Sequence, residues 1–383
     1  MSYSRRSFFQ IAGAGAVGSL FVPLVSGRGL EALTLGGRHG DDERTLVPGA
    51  IRLNSNENPN GPGKAAFDGI SAAFGEANRY PRASEASLRS EIGESFHLTP
   101  AHVQLGCGST DILRASVYAY TGPDRPLVVA SPTFESPGND AKRIGTPVRE
   151  IPVTGDLRLD LDAMAAAAHG AGLVYLCNPN NPTSTVHGSE PVRQFVARVS
   201  KESPATTILI DEAYHEYVDD PAYATAVPLA TEGPRVIVAR TFSKVYGLAG
   251  MRVGYALAQP GTIQAIGAYT LPNALNELGL CGAMAALTAT AHVEQQRMLN
   301  RAARAFTVKA LADAGFPAAE TQANFLMVNL RRDAQPFRDA CKRDGVLVGR
   351  PFPPLGTYCR ISIGTMDEMR QGVEVFKRAL ATA

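Results

Sequence analysis

The stretch "ARTFSKVYGLAGMRVGYALA", residues 239–258, sets Lys244 among small and apolar neighbours, with Arg252 eight positions further on. Desolvation disfavours an ammonium, so a lysine buried in such surroundings sheds its proton readily. Its neutral amine is a nucleophile toward carbonyls. Lys244 is therefore a candidate to form a Schiff base with an aldehyde cofactor. Other residues indicate which one. Arg252 with Ser243 and Thr241 suits a phosphate. So does "GCGSTD" at 106–111, where Gly108, Ser109 and Thr110 stand at an expected helix start and offer backbone N–H groups. Asp211, at the end of an apolar run, suits a ring nitrogen that must stay protonated. Tyr214 and Asn181 suit a ring hydroxyl, and Phe134 suits the flat face of a ring. Aldehyde, phosphate, pyridinium and phenolic oxygen together describe pyridoxal phosphate, an electron sink.

Short apolar runs position these residues: "PLVVASPTF" (126–134), "GLVYLCNPNNPT" (172–183), "TTILIDEAY" (206–214), "RVIVARTFSK" (235–244) and "VGYALA" (253–258). Continuous runs separated by helical lengths fit the buried parallel strands of an α/β sheet. In such sheets ligands bind beyond the carboxyl ends of the strands, which is where Asn181, Asp211, Tyr214, Ser243 and Lys244 fall. The last third reads as a smaller α+β domain. A long helical pattern over 276–314 comes first, then strands "NFLMVNL" (324–330) and "YCRISIG" (358–364).

The whole chain is compatible with this scheme. Its 383 residues, 45% of them hydrophobic, can bury a core divided between two domains. A net charge of +1 with 19% charged residues gives no field for nucleic acid or an anionic membrane. The five cysteines are widely spaced and read as small hydrophobes. Neither they nor His97, His102, His187 and His215 have metal-ligand spacing, so no metal is expected. "GCGSTD" and "GLAGMRVG" lack the G-K-[ST] ending of a nucleotide-binding P-loop. At the N-terminus, "SRRSFFQ" with Arg5 and Arg6 precedes a Gly/Ala-rich apolar run to about Val25, too short and interrupted for a membrane span. It resembles a twin-arginine export signal, which implies a periplasmic or otherwise exported protein. The expected organisation is a signal over 1–27, an N-terminal arm over 28–62, a large cofactor-binding domain over 63–275 and a small domain over 276–383.

Taken singly, an S-K pair is ordinarily surface, D-E-A-Y a strand end and "NPNNP" a turn. Their order is more specific. "LNSNENPNGP" (53–62), "NRYP" (78–81), "GCGSTDIL" (106–113), "CNPNNPT" (177–183), "DEAY" (211–214), "RTFSKVYGLAGMRVGY" (240–255) and "RISIGT" (360–365) resemble, in sequence, the motifs of class I/II aminotransferases of the histidinol-phosphate aminotransferase family. The resemblance covers about residues 48 to 380. It implies a fold-type-I, pyridoxal-phosphate-dependent homodimer that moves an amino group between an amino donor and a 2-oxo acid. Lys244 would be the cofactor lysine, and Asp211 would pair with the pyridine nitrogen. Asn181 and Tyr214 would lie at the phenolic oxygen, Phe134 against the ring, and Ser243, Arg252 and Thr241 at the phosphate. Tyr80 matches a tyrosine that reaches the phosphate from the neighbouring subunit. Arg360 matches the substrate-carboxylate arginine, and Asn58 and Arg350 are further substrate candidates.

Two departures bear on the substrate. The family's upstream "PY" element, whose tyrosine contacts substrate phosphate, has no counterpart before Leu53, and Ser184 stands where glycine usually follows "NPT". With an export signal, these point to an amino acid, aromatic among the options, or a related amine, rather than to histidinol phosphate. A decarboxylase of an amino-acid phosphate on the same scaffold is the alternative chemistry, and a non-catalytic secreted binding protein the alternative class.

Overall fold

The computed structural model describes residues 49–233 and 235–382; the expected signal lies outside them. The central sheet is seven-stranded among the described residues, in the order β2 (Val103–Cys107), β8 (Val253–Leu257), β7 (Val236–Thr241), β6 (Thr207–Asp211), β5 (Leu173–Cys177), β3 (Leu127–Ser131), β4 (Val148–Pro152). Alternate residues of each strand enter different cores. Val174, Leu176, Ile208, Ile210 and Val238 lie in one cluster, and Leu173, Tyr175, Leu209, Ile237 and Ala239 in the other. Burial of both faces accounts for the unbroken apolar runs.

Strands β7, β6, β5, β3 and β4 are mutually parallel, as expected for a mostly parallel sheet. The run 253–258 differs: β8 is antiparallel to both β7 and β2. Only residues 242–252 connect β7 to β8, too few for the helical crossover that a parallel neighbour requires. The reversal matters for the site. Arg252, immediately before β8, stands at the same sheet edge as the carboxyl ends of its neighbours.

The second core contains Leu53, Leu311, Leu326, Val328, Phe337, Val346, Ile361 and Phe376. It is built on β9 (Phe325–Asn329) antiparallel to β11 (Tyr358–Ser362), and on β10 (Val346–Val348), which pairs in parallel with β1 (Ile51–Leu53) from the N-terminal arm. The arm is therefore partly a strand of the smaller core. The long helix expected over 276–314 is two helices, Glu277–Leu287 and Thr290–Asp313. The first places Leu280, Ala283 and Ala286 in the large core, and the second sends Ala303 and Leu311 into the smaller core. Among the described residues no helix is long and apolar enough to cross a membrane.

Gly254 is the closest approach holding β8 against the helix Ser109–Tyr120. A Cβ there would lie 2.2 Å from the Ser109 backbone nitrogen. Gly254→Ala is expected to destabilise the chain by about 1–3 kcal/mol in denaturant unfolding. Gly250→Ala, with nothing within 4 Å of its Cβ position, is expected to stay within about 0.5 kcal/mol of the parent.

Candidate active site

The loops after β2, β3, β5, β6 and β7 and the residue before β8 deliver the expected residues to one edge of the sheet. Lys244 is half-buried there, with its ammonium nitrogen 5.5 Å from the centroid of the Tyr214 ring. Desolvation, and then the nearby Arg360 guanidinium, pull its pKa down from 10.5 to about 8, against the opposing pull of Glu57 and Asp211. A substantial share of the amine is thus neutral at mildly alkaline pH without any partner contributing the proton acceptor.

Asp211 is buried at the end of β6. It accepts hydrogen bonds from the Tyr175 hydroxyl at 2.8 Å and the Ala213 backbone N–H at 3.1 Å. Burial nevertheless raises its pKa from 3.8 to about 6; the Tyr175 and Ala213 bonds and the charge of Lys244 offset only part of that rise. Among the described residues no ion pair reaches this carboxylate. A protonated ring nitrogen is the kind of group that would complete it. Tyr175 sits inside an apolar strand, and its role was not expected from the sequence. The available signal was a tyrosine in a fully buried run, whose hydroxyl must find a partner.

The anion cradle is assembled from three elements. Gly108 has φ +73°, and a Cβ on it would meet the Arg252 guanidinium at 2.3 Å, so the arginine packs where only glycine leaves room. The Gly108 N–H, expected to face a phosphate, donates instead to the Arg252 carbonyl at 3.0 Å; Ser109 and Thr110, the first two helical residues, carry the N–H groups without intrahelical partners. Arg252 also approaches the Ser243 hydroxyl at 3.4 Å, and Thr241 donates to Ser243 at 2.9 Å while accepting from its N–H. Thr241 thereby fixes the turn that presents Ser243 and Lys244. A helix N-terminus, a hydroxyl and a guanidinium drawn together by a glycine fit a phosphate monoester.

Arg360 on β11 is buried. It donates to the Asn181 side-chain oxygen at 2.8 Å and to the Asn54 carbonyl at 2.6 Å, and lies 4.8 Å from the Phe352 ring centroid. The Asn181 amide nitrogen is left as that residue's donor toward the site. The Tyr214 hydroxyl accepts from Asn56 at 3.2 Å, and Phe325 meets its ring edge-on at 5.0 Å. Phe134 is half-buried after β3. Two candidates are placed differently. Asn58 donates its amide to the Val245 carbonyl at 2.8 Å and accepts the Asn60 N–H on its oxygen, which pins the arm next to Val245. Arg350 pairs with Glu135 at 2.7 Å. Tyr80 is 74% exposed on its own chain.

Below the site, Glu212 accepts two bonds from Arg240, at 2.7 and 3.0 Å, plus one each from Thr225 and the Ala226 N–H. Burial would raise the Glu212 pKa, but the guanidinium outweighs it and the net shift is downward. This pair ties β6 to β7, the strands carrying Asp211 and Lys244. Ser184, at φ +65°, occupies the backbone conformation that favours glycine; its hydroxyl meets Thr321 at 2.6 Å and the Ala323 N–H at 3.2 Å, which offsets the strain.

Residues 48–376 match the family described as aminotransferase class I and II. The histidinol-phosphate aminotransferase of Symbiobacterium thermophilum is 36% identical over 86% of this chain and 90% of its own length. The aromatic amino acid aminotransferase of Thermobifida fusca is also 36% identical, over 83% and 87%. The crystal structure of histidinol-phosphate aminotransferase from Sinorhizobium meliloti in complex with pyridoxal-5'-phosphate superposes with a TM-score of 0.83 at 27% identity, covering 96% of this chain and 99% of that one.

The raised Asp211 pKa has a stability consequence. The native carboxylic acid is favoured below pH 3.8, and that contribution is lost as pH rises through about 6, leaving a buried anion in the cofactor-free chain. Asp211→Asn is expected to stabilise the cofactor-free chain at pH 7.5 by on the order of 2 kcal/mol and by less at pH 5. It is also expected to weaken cofactor binding. Denaturant midpoints at both pH values and a cofactor titration check this; a less stable variant at pH 7.5 contradicts it.

Proposed function

This chain belongs to the aminotransferase class I and II family and is a pyridoxal-phosphate-dependent transaminase; on that premise we propose that its donor is an amino acid with an aromatic or other apolar side chain. Arg360 carries the reading. A buried, apolar-walled guanidinium facing Lys244 is the group to hold a substrate α-carboxylate, through the bidentate geometry available only to arginine. Histidinol phosphate has no α-carboxylate to offer it, and the tyrosine that contacts substrate phosphate in that family has no counterpart before Leu53. Phe134 and Phe352 give the side chain apolar surroundings.

The residues divide the work by position. Bound pyridoxal phosphate supplies the electron sink for the pair released at the substrate's α-carbon. Lys244 would hold the cofactor through its amine and, as a neutral base, would move the proton at the substrate's α-carbon. Its lowered pKa suits both roles. Asp211 holds the ring nitrogen's positive charge, which keeps the sink effective. Ser109, Thr110, Ser243 and Arg252 hold the phosphate, and Asn181 and Tyr214 the phenolic oxygen. A 2-oxo acid then runs the same steps in reverse.

We also propose a homodimer, supported by the exposed Phe67, Phe74 and Tyr80 of residues 64–80 and by the match of Tyr80 to a tyrosine that serves a neighbouring site. Export by the twin-arginine route is proposed from Arg5 and Arg6; that route accepts folded protein, as a chain that acquires its cofactor first requires.

Three measurements test these readings. In the holoenzyme, phenylalanine or tyrosine is expected to discharge the visible cofactor band with high efficiency and histidinol phosphate poorly; the reverse order overturns the donor assignment. Lys244→Ala is expected to abolish steady-state transamination. A reporter fused to residues 1–27 is expected to leave the cytoplasm, and to stay there when Arg5 and Arg6 are both lysine; retention with both arginines intact contradicts export.

A further inference from the structure

Two arginines share one aromatic ring at the mouth of the site. The Arg360 guanidinium lies 4.8 Å from the Phe352 centroid and that of Arg350 lies 4.4 Å from it. Their surroundings differ. Arg360 is buried and bonded to Asn181 and the Asn54 carbonyl. Arg350 is 30% exposed, donates to the Pro351 carbonyl, and forms an ion pair at 2.7 Å with Glu135, itself 48% exposed. Glu135 immediately follows Phe134 in the loop after β3, so the pair runs from the wall that carries the ring-stacking candidate to the wall that carries the carboxylate arginine.

From this we infer that Glu135 is a specificity-determining residue: it occupies Arg350, the next cation out from Arg360, and so selects against donors with a second anionic group. The inference rests on the assignment of the α-carboxylate to Arg360. A dicarboxylate or a phosphomonoester anchored at Arg360 must break the Glu135–Arg350 pair to use Arg350. An uncharged side chain does neither and packs against Phe352 with the pair intact. An exposed pair contributes little to fold stability. A charge placed to occupy the cation that a ligand needs, by contrast, discriminates between ligands. The acidic residue is thus best explained by what it excludes.

Calorimetry on the cofactor-loaded full chain, with unreactive glutarate and 3-phenylpropanoate as probes, separates the outcomes. Glu135→Gln is expected to tighten glutarate by about tenfold and to leave 3-phenylpropanoate within about twofold. In the double variant Glu135→Gln, Arg350→Gln, the glutarate gain is expected to disappear. Glu135→Ala repeats the first arm should the glutamine variant fold poorly. Equal tightening of both probes, no change in either, or a glutarate gain that survives loss of Arg350 overturns the inference. Wild-type holoenzyme whose cofactor band responds to no amino acid would instead sink the donor assignment, a separate result from these binding ratios.

Discussion

Removing the Lys244 ammonium from water is the constraint around which the rest of the site is arranged. An isolated buried charge is costly, and the chain meets that cost by letting the group lose its proton rather than by giving it a contacting carboxylate. Arg360 and Arg252 add to the downward pull, and the nearest acids, Glu57 and Asp211, moderate it. A direct ion pair would restore the ammonium and remove the nucleophile. Asp211 mirrors this situation: a buried carboxylate that no ion pair reaches among the described residues, with the charge of Lys244 offsetting only part of the effect of burial.

Such unpaired charges need a rigid frame, and the sheet supplies it. Asp211 and Lys244 follow adjacent parallel strands, tied below by the buried Arg240–Glu212 pair. Removing one partner of a buried pair like that ordinarily costs about 3–5 kcal/mol, because the other charge is left unmatched. The antiparallel turn of β8 returns Arg252 to the same edge, and the glycines at 108 and 254 let its guanidinium and strand come close to the helix start. The smaller core brings Arg360 to Asn181, with Asn324 donating to the Asn56 and Glu57 carbonyls and Asn56 in turn reaching Tyr214.

Much of this is legible in the residues. Unbroken apolar runs ending in polar residues mark the doubly buried strands, and the strand-end positions of Asp211 and Lys244 place the two together. What the pattern does not carry is direction. Period and burial are the same for β8 whichever way it runs, so its reversal depends on the length of its connection. Strands β2 and β4 escape the pattern because Gln104 and the charged Arg149 and Glu150 interrupt their runs. The break at Thr288–Ala289 contains neither glycine nor proline and so gives no stop signal. Among site residues, Tyr175, Asn56 and Glu135 act through contacts distant in sequence, which motif spacing does not encode. The position of Asn58 inside a motif likewise says nothing about which way its amide turns.

The most direct measurement is the titration of Lys244 itself in the cofactor-free chain, by competitive labelling of lysine amines from pH 6 to 11 followed by peptide mapping. Half-maximal reactivity near pH 8 is the predicted result, because burial and Arg360 hold the amine well below its ordinary range. A midpoint at the ordinary lysine value, near 10.5, would mean that the ammonium is solvated or paired, and would contradict an electrostatic origin for its reactivity.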